Sequence, residues 1–452
     1  MNSSITRRQA MECCALLLAG ARAGMSAATK TALRVGVAET AITPSWPTRL
    51  WGYDRSANPT SEGVLDDIYA KAIVFESGKT FLLVVADVGA IGLDLSRRIA
   101  RRVREATGIP EDAVAIQVTH DHSAPAVLGI PMTAADTRFQ QLLEDRIVSI
   151  ATQAHRGLAP AVLELGQVDS SIGLNRRLGN RVNTWDKDSG PIDKTFSVLL
   201  IRQPSGGKYM GAIVNYATHP VTMRDNNNKV SADFPGVLYK RLGSELNCPV
   251  MYLQGCCGDV IPKVFGGVKE MESYGTRMAD EALRAAAVAK PISGDSIDYQ
   301  VRHIHLEFVA PYSLSDFQTK ASEYATQKTV PREWAKVYLQ YLEKGGAMQQ
   351  AHETMVEAFR IGDLHIALLP GEVLHLTSLL IRSRFPGLKL MVGSYTNDTS
   401  TGYLPHAVEF PRGGYEVNTA WELYGILKTT PEMEQSVRET AIELLRATAG
   451  AG

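Results

Sequence analysis

Two histidines that flank an aspartate, His120-Asp121-His122, stand at the end of an apolar run of the 452-residue chain. Residues 113–118 are apolar except for Gln117, which predicts a buried strand. Side chains two residues apart in an extended chain point to the same side, so both imidazoles can face one point. This spacing suits two metal ligands, or one ligand and one proton-transfer group. A hydrogen-bonded pair of histidines at a strand end is the structural alternative.

Other apolar runs end in the same way, with an abrupt change to polar, turn-forming residues. They lead to His219, Glu372 and Tyr403. Ligand sites of α/β sheets gather at the carboxyl ends of strands. Two imidazoles and one carboxylate are a recurrent set for catalytic zinc, which activates water for hydrolysis. Since the candidates lie far apart in the sequence and form no compact motif, the residues alone leave both a zinc site and structural strand-end roles open.

The elements that must position these residues alternate between strand-like and helix-like patterns through the first two thirds of the chain. This alternation predicts an α/β fold, with mixed β-sheets flanked by helices in one large domain. Residues 93–107 and 138–156 are predicted helices, and residues 173–177 a polar loop. Residues 313–359 are charged and largely helical in pattern, and we interpret them as a helical insertion or cover.

Charge and composition argue against several partners. The chain has 47 Lys and Arg against 48 Asp and Glu, a net charge of −1, so no basic excess points to nucleic acid or to an anionic membrane surface. We expect a small-molecule substrate and no transmembrane segment; the sequence leaves the oligomeric state open. Cys248, Cys256 and Cys257 are too few for a disulfide framework. The adjacent pair is interpreted as small buried residues at a turn, with a redox role the less favoured alternative.

The first 28 residues have the features of an export signal. Arg7 and Arg8 precede a short apolar run, residues 13–21, which is too brief to span a bilayer and is followed by small residues. Paired arginines ahead of a weak apolar segment resemble a twin-arginine signal. We therefore expect a periplasmic or secreted protein.

Seven short segments follow one another along the chain: 36–44 (GVAETAITP), 119–125 (THDHSAP), 174–177 (LNRR), 217–220 (ATHP), 254–259 (QGCCGD), 369–372 (LPGE) and 402–403 (GY). Taken in this order, they resemble the catalytic domain of the neutral/alkaline ceramidase superfamily of zinc amidases. The resemblance spans residues 33–447 and implies that this stretch is one ceramidase-like zinc hydrolase domain.

The resemblance also implies a cofactor, a ligand set and a reaction. The zinc ligands of the family correspond to His120, His219, Glu372 and Tyr403. His122 and Arg176 correspond to groups beside the metal-activated water, as proton-transfer or oxyanion-stabilising residues, and Tyr415 to a second active-site tyrosine. The implied cofactor is Zn²⁺, and the implied reaction is hydrolysis of an amide (N-acyl) bond, with His122 passing a proton to the leaving group.

One departure from the family pattern affects the expected substrate. Ile261 stands where ceramidases carry a serine implicated in their chemistry, and its side chain can neither attack nor hydrogen-bond. An ester, a lactone or a carbohydrate-type substrate is therefore an alternative to an amide, since polar residues at 180–188 and 226–228 would accommodate hydroxyl groups. The alternative of another class is a non-catalytic, exported binding protein on the same scaffold.

Overall fold

The apolar runs of the sequence form strands that assemble into three larger β-sheets and two short strand pairs. In chain order the strands are β1 (Arg34–Ala41), β2 (Tyr69–Ser77), β3 (Lys79–Ala86), β4 (Val114–Val118), β5 (Ala159–Pro160), β6 (Val162–Asp169), β7 (Gly173–Asn175), β8 (Thr195–Arg202), β9 (Tyr209–Tyr216), β10 (Val250–Gln254), β11 (Val260–Pro262), β12 (Lys290–Pro291), β13 (Ile297–Glu307), β14 (Ala351–Ile361), β15 (Leu364–Leu368), β16 (Glu372–Val373), β17 (Lys389–Gly393) and β18 (Tyr403–Leu404).

The sheets are mixed, and the parallel pairs matter most for the site. The first sheet has the order β4-β3-β2-β1-β5, the second β10-β9-β8-β6-β12 and the third β13-β14-β15-β17, while β11 pairs with β7 and β16 with β18. The pairs β3/β4, β9/β10 and β15/β17 are parallel. Each larger sheet therefore brings the carboxyl ends of two neighbouring strands to the same edge.

Helices cover the outer faces of the sheets. They are α1 (Leu93–Thr107), α2 (Thr137–Arg156), α3 (Phe234–Leu246), α4 (Val268–Ala287), α5 (Leu314–Tyr324), α6 (Thr329–Glu343), α7 (His375–Ser383), α8 (Tyr415–Asn418), α9 (Ala420–Tyr424) and α10 (Pro431–Ala449). Phe81, Leu199 and Phe359, one from each larger sheet, share a single apolar layer between the sheets. The opposite faces pack against α1 and α2, against α3 and α4, and against α10. The expected α/β fold is confirmed.

Polar side chains within the strands tie the sheets together at the edge where the strands end. Gln117 on β4 donates from Nε2 to the carbonyls of Gln254 (2.9 Å) and Ser394 (2.7 Å). Asn215 on β9 donates to the carbonyls of Leu253 (2.9 Å) and Val392 (3.0 Å). Because a buried amide needs its hydrogen bonds satisfied, these contacts fix one arrangement of the strand ends.

Two sequence predictions are corrected. Residues 313–359 are helical only as far as α6, and the following β14 is a strand. Charged residues such as Glu353 and Arg360 mask the alternation of apolar and polar residues in β14. Pairing with β13 on one side and with β15 on the other makes this segment a strand. The expected loop 173–177 includes the short strand β7, which pairs with β11.

The computed structural model describes residues 32–450, apart from 56–58, 178–189, 205, 310–311, 327–328 and 348–349. Residues from Leu33 onwards form one compact unit. The expected export signal, residues 1–28, lies outside the described residues. Within the described ranges, none of the helices combines the length and the apolar character needed to cross a membrane.

Candidate metal centre

His120 lies just beyond β4, in a left-handed backbone conformation with φ of 66°. Such a conformation is unfavourable for a residue with a side chain and is found mainly where the surrounding structure requires it. The ring is completely buried, and Nδ1 lies 2.6 Å from the carbonyl oxygen of Gly89. Because a carbonyl only accepts, Nδ1 carries the proton, and Nε2 presents its lone pair to the centre of the site.

His219 follows β9 and is oriented in the same way. Its Nδ1 donates to the carbonyl oxygen of Val260 at 3.1 Å, so Nε2 is again the free nitrogen. The two rings lie with their centroids 4.9 Å apart and both are buried. Two histidines separated by about a hundred residues in the sequence thus direct unprotonated nitrogens toward one point.

Glu372 completes this group from β16. Its Oε2 lies 3.2 Å from Nε2 of His120 and 3.1 Å from Nε2 of His219. Tyr424 donates to its Oε1, and Tyr395 donates to its Oε2 at 3.3 Å. Burial opposes ionisation, but when a proton is shared with the imidazoles of His120 and His219 their attraction and hydrogen bonds outweigh it, and they hold the pKa of Glu372 well below its ordinary value. Glu372 is therefore a carboxylate in the folded protein.

This arrangement of lone pairs fits a bound cation. Two imidazole nitrogens and one carboxylate oxygen, all acceptors, converge at one buried point. Such a group is favourable only when a proton or a metal ion lies between its members. Imidazole nitrogen and carboxylate oxygen are typical ligands of divalent transition metals. The donor set therefore fits a divalent metal ion.

His122 lies beside this group, and its ring can reach the same point. The Nε2 atoms of His122 and His120 are 3.1 Å apart, and the ligand atoms of His120, His122 and His219 all lie within 4.8 Å of one another. Burial, with His120 and His219 nearby, lowers the pKa of His122 well below 6.5, so the ring is neutral at pH 7. The geometry admits His122 as a third ligand or as the adjacent proton-transfer group.

The position of His122 depends on the segment around Gly52. A Cβ on Gly52, whose φ is +92°, would lie 2.3 Å from Nδ1 of His122, so the ring needs a glycine there. Trp51 packs edge-on against His120 and His122, with centroids 5.2 Å away in each case. Arg55 donates to the carbonyl of His122 at 3.0 Å. No pattern in the sequence marks these supporting residues, because each acts through tertiary contact.

Tyr403 and Arg176 form the next part of the site. Tyr403 on β18 pairs in register with Glu372. Arg176 donates from Nη2 to the Tyr403 hydroxyl at 3.0 Å and from Nε to Glu416 at 2.7 Å. Its guanidinium carbon lies 5.6 Å from the ring centroids of both Tyr403 and Tyr415. Arg176 and Tyr415 are thus brought together with the four expected ligands.

A cavity of about 540 Å³ opens onto these side chains. His122, His219 and Tyr403 line it, as do Arg176, Tyr415 and Ile261, whereas His120 and Glu372 lie behind them. The volume is within the range of small-molecule sites. Residues 180–188, which the carbohydrate-type alternative invoked, lie outside the described residues.

Some important residues were missed by sequence reasoning, and some candidates have other roles. Tyr424 and Tyr395 contact Glu372, but nothing in the sequence pattern distinguishes them from packing tyrosines. His375 donates to Asp259 at 2.6 Å and does not approach the metal group, which is the cluster of His120, His219 and Glu372. Cys256 and Cys257 are buried free thiols, and burial raises the pKa of both. This environment disfavours the thiolate that redox chemistry requires.

The fold and the site together define the class of protein. It is a hydrolase-like protein with a mixed α/β domain, in which histidines and a carboxylate at the ends of strands form a site suited to a metal ion. Residues 33–269 match the family described as neutral/alkaline non-lysosomal ceramidase, N-terminal, and the chain belongs to that family.

Similar proteins agree with this assignment. The chain is 26% identical over 263 residues to a neutral ceramidase of Drosophila melanogaster, covering 52% of this chain and 36% of that protein. It is 26% identical over 207 residues to a neutral ceramidase of Mycobacterium tuberculosis, covering 41% and 31%. The matches thus span about a third of the length of these curated relatives.

The fold is that of solved neutral ceramidase. The crystal structure of neutral ceramidase from Pseudomonas aeruginosa superposes with a TM-score of 0.75 at 18% identity, covering 92% of this chain and 74% of that chain. A ceramidase complexed with C2 gives a TM-score of 0.74 at 17% identity, covering 93% and 76%. At this level of identity the likeness establishes the fold.

Proposed function

We propose that this protein is a zinc-dependent amidase that hydrolyses an N-acyl bond. The observation that carries the proposal is the convergence of Nε2 of His120 and Nε2 of His219 on Oε2 of Glu372, at 3.2 and 3.1 Å, with both Nδ1 protons held by backbone carbonyls. Membership of the ceramidase family supports an amide as the bond that is cleaved. Tyr403 is the proposed fourth ligand, because it lies beside Glu372 and its hydroxyl is held by Arg176.

When bound in a set of this kind, zinc supplies Lewis acidity and makes water acidic enough to ionise near pH 7. The protein's own groups would carry the remaining steps. His122, neutral at pH 7 because its pKa is lowered, can take a proton from the attacking water and deliver it to the departing amine nitrogen. The C–O bond forms as His122 takes the proton from water, and the C–N bond breaks as His122 delivers that proton to the amine nitrogen. Arg176, positioned by Glu416, is aimed to stabilise the charge that develops on the carbonyl oxygen.

A metal-depletion experiment tests the proposal. The purified chain is stripped with a chelator, assayed on N-acyl amides and on matched esters, and assayed again after Zn²⁺ is restored. We expect about one equivalent of zinc, loss of amide hydrolysis on stripping and its return on reconstitution. Full activity in metal-free protein would reject the zinc role. Binding of these compounds without turnover in the zinc-loaded protein would favour the non-catalytic binding protein instead.

We further propose that the chain is exported, on the basis of Arg7 and Arg8 ahead of the short apolar run. Cell fractionation of the full-length chain, with a variant in which both arginines are replaced by lysine, tests this. Export of the parent chain and cytoplasmic retention of the variant are expected. Equal distribution of the two would contradict it.

A further inference from the structure

The arginines that line the cavity differ in how their charges are satisfied. Arg176 pairs with Glu416, and Arg177 pairs with both Glu416 and Glu409. Arg412 pairs with Glu409 at 3.0 Å. Among the residues that the structure describes, the lining therefore contains four arginines against two glutamates, and three of these arginines are already engaged.

Arg224 is the exception. It lines the same cavity, and no described carboxylate lies within 4 Å of its guanidinium; its recorded side-chain contact is with the Phe265 ring, 5.0 Å from the ring centroid. Its neighbour Asp225 is exposed and likewise makes no ion pair with it among the residues that the structure describes. A guanidinium held over an aromatic ring keeps its hydrogen-bonding edge available to a ligand.

The backbone holds Arg224 in this position at some cost. Its φ is 54°, in the left-handed region, and its N–H donates to the carbonyl of Val221 at 3.2 Å. Strain of this kind collects at ligand sites. The segment is also tied to the metal group, because His219 lies shortly before Arg224 in the chain and lines the same cavity. The geometry thus places the Arg224 guanidinium, which has no ion-pair partner in the described part of the chain, and the His120, His219 and Glu372 group within the reach of one small substrate.

A neutral ligand that filled this cavity would remove water from Arg224 without replacing its hydrogen bonds, which is unfavourable. An anionic group would pair with it. We propose that Arg224 binds an anionic group of the substrate, so that the substrates are N-acyl amides whose amine part carries a carboxylate or a sulfonate. This inference rests on the proposed amidase function and names its substrate class.

Three compounds with the same acyl chain test the proposal: N-lauroylglycine, N-lauroyltaurine and N-lauroylethanolamine, which carry a carboxylate, a sulfonate and a neutral hydroxyl. We expect the zinc-loaded protein to cleave at least one anionic compound with a kcat/KM about tenfold or more above that of the neutral one. Arg224→Gln should reduce that ratio by about tenfold to a hundredfold, mainly through KM, and Arg224→Lys should restore part of it. Whichever of the two anions is preferred identifies the group.

The matched control is Arg241→Gln, which removes an exposed arginine paired with Asp280 on the surface and should leave the ratio unchanged. Zinc content and melting temperature of each variant establish that it is folded. A wild-type protein that cleaves the neutral amide equally well, or an Arg224→Gln variant that keeps the preference, would overturn the inference.

Failure of the amidase function is distinguished by direct binding. If none of the three amides is cleaved, the proposed function fails, and calorimetric titration of N-lauroylglycine and N-lauroyltaurine into the zinc-loaded wild type and Arg224→Gln decides the inference separately. At least tenfold weaker binding to the variant upholds anion recognition by Arg224. Equal binding to both proteins, or no binding to either, rejects it.

Discussion

The two halves of the site are held in different ways. The inner half, His120, His219 and Glu372, is completely buried and is oriented by backbone carbonyls and by neighbouring strands. The outer half is the cavity wall formed by Arg176, Arg177, Arg224 and Tyr415, which come from loops and short helices. Its arginines depend on glutamate side chains, or on an aromatic ring, for their orientation.

This difference has a functional consequence. Ligands fixed by main-chain atoms are insensitive to most substitutions around them, whereas a cavity wall built from side-chain pairs can change while the metal group is preserved. Ile261, which lines the cavity at the position where the resemblance leads us to expect a serine, is such a change. We infer that the inner half preserves the chemistry of the family and that the outer half determines which substrate is accepted.

The largest expected effect comes from removing an inner imidazole. His120→Ala or His219→Ala leaves two of the three convergent donors, so zinc should be lost and activity should fall by more than about a hundredfold. Elemental analysis and amide hydrolysis measure the two effects together. His303→Ala, which removes an exposed histidine remote from this group, is the control. A His219→Ala variant that kept both zinc and activity would contradict the inference that the inner half holds the metal and preserves the chemistry.

A smaller effect is expected in the outer half. Glu416→Gln keeps the shape of the side chain but removes the charge that orients Arg176 and Arg177. We predict that kcat falls by on the order of tenfold to a hundredfold while zinc content is unchanged. Glu281→Gln, which removes another buried carboxylate paired with an arginine, serves as the control. Loss of zinc from Glu416→Gln would mean that the two halves are not separate.

Tyr424→Phe tests the boundary between the halves. The substitution removes the hydroxyl that donates to Oε1 of Glu372 and leaves the ring in place. Hydrogen bonds to a metal-binding side chain contribute to metal affinity. We therefore predict that Tyr424→Phe binds zinc about tenfold more weakly, with kcat little changed at saturating zinc. Competition with a chelator measures the affinity. The control is Tyr341→Phe, at an exposed tyrosine, which should leave the zinc affinity unchanged. A Tyr424→Phe variant with the zinc affinity of the wild type would show that the hydrogen bond to Glu372 is irrelevant to the metal.

The inner half was predictable from sequence because its residues follow apolar runs directly. His120 and His219 stand just beyond β4 and β9, and Glu372 shortly after β15. These strands belong to three different sheets, whose strand ends are joined by contacts such as those of Gln117 with the carbonyls of Gln254 and Ser394. The proposed zinc role of these residues was not derivable from spacing alone. The zinc role came from the resemblance, because the local pattern around distant residues does not show which sheet edges come together.

In the outer half, Arg176 and Tyr415 were expected from the resemblance, but the residues that hold them, and part of the fold, were not predictable, for a physical reason. Tyr424 and Glu416 reach the site from the short helices α9 and α8, whose positions are set by tertiary packing and not by any local periodicity. Likewise β14 is a strand because β13 and β15 flank it, although its charges resemble those of an exposed helix. Where contacts between distant segments decide the structure, local pattern is a weak guide.

The buried residue Glu357 links the third sheet to the inner half. Its Oε1 accepts from Nδ2 of Asn397 at 2.8 Å. Asn397 in turn is bonded to β4, the strand that leads to His120: its N–H donates to the carbonyl of Ile116 at 2.7 Å, and the Ile116 N–H donates to its Oδ1 at 2.8 Å. Burial raises the pKa of Glu357 to about 8.

The raised pKa of Glu357 predicts a change in stability without a change in chemistry. The unfolded chain loses this proton near its ordinary pKa of 4.5, whereas the folded protein keeps it up to about pH 8. Between these values the free energy of unfolding should therefore fall as pH rises, by roughly 1.4 kcal/mol per unit from this group.

Glu357→Gln cannot ionise, so the unfolding free energy of the wild type relative to this variant should decline from pH 5 to pH 8 and then level off. Denaturant unfolding across this range measures it. Glu353→Gln on the same strand, where Arg97 holds the pKa of the carboxyl low, should give no such decline. A difference for Glu357→Gln that is constant with pH would mean that the inner half is supported by an ionised carboxylate after all.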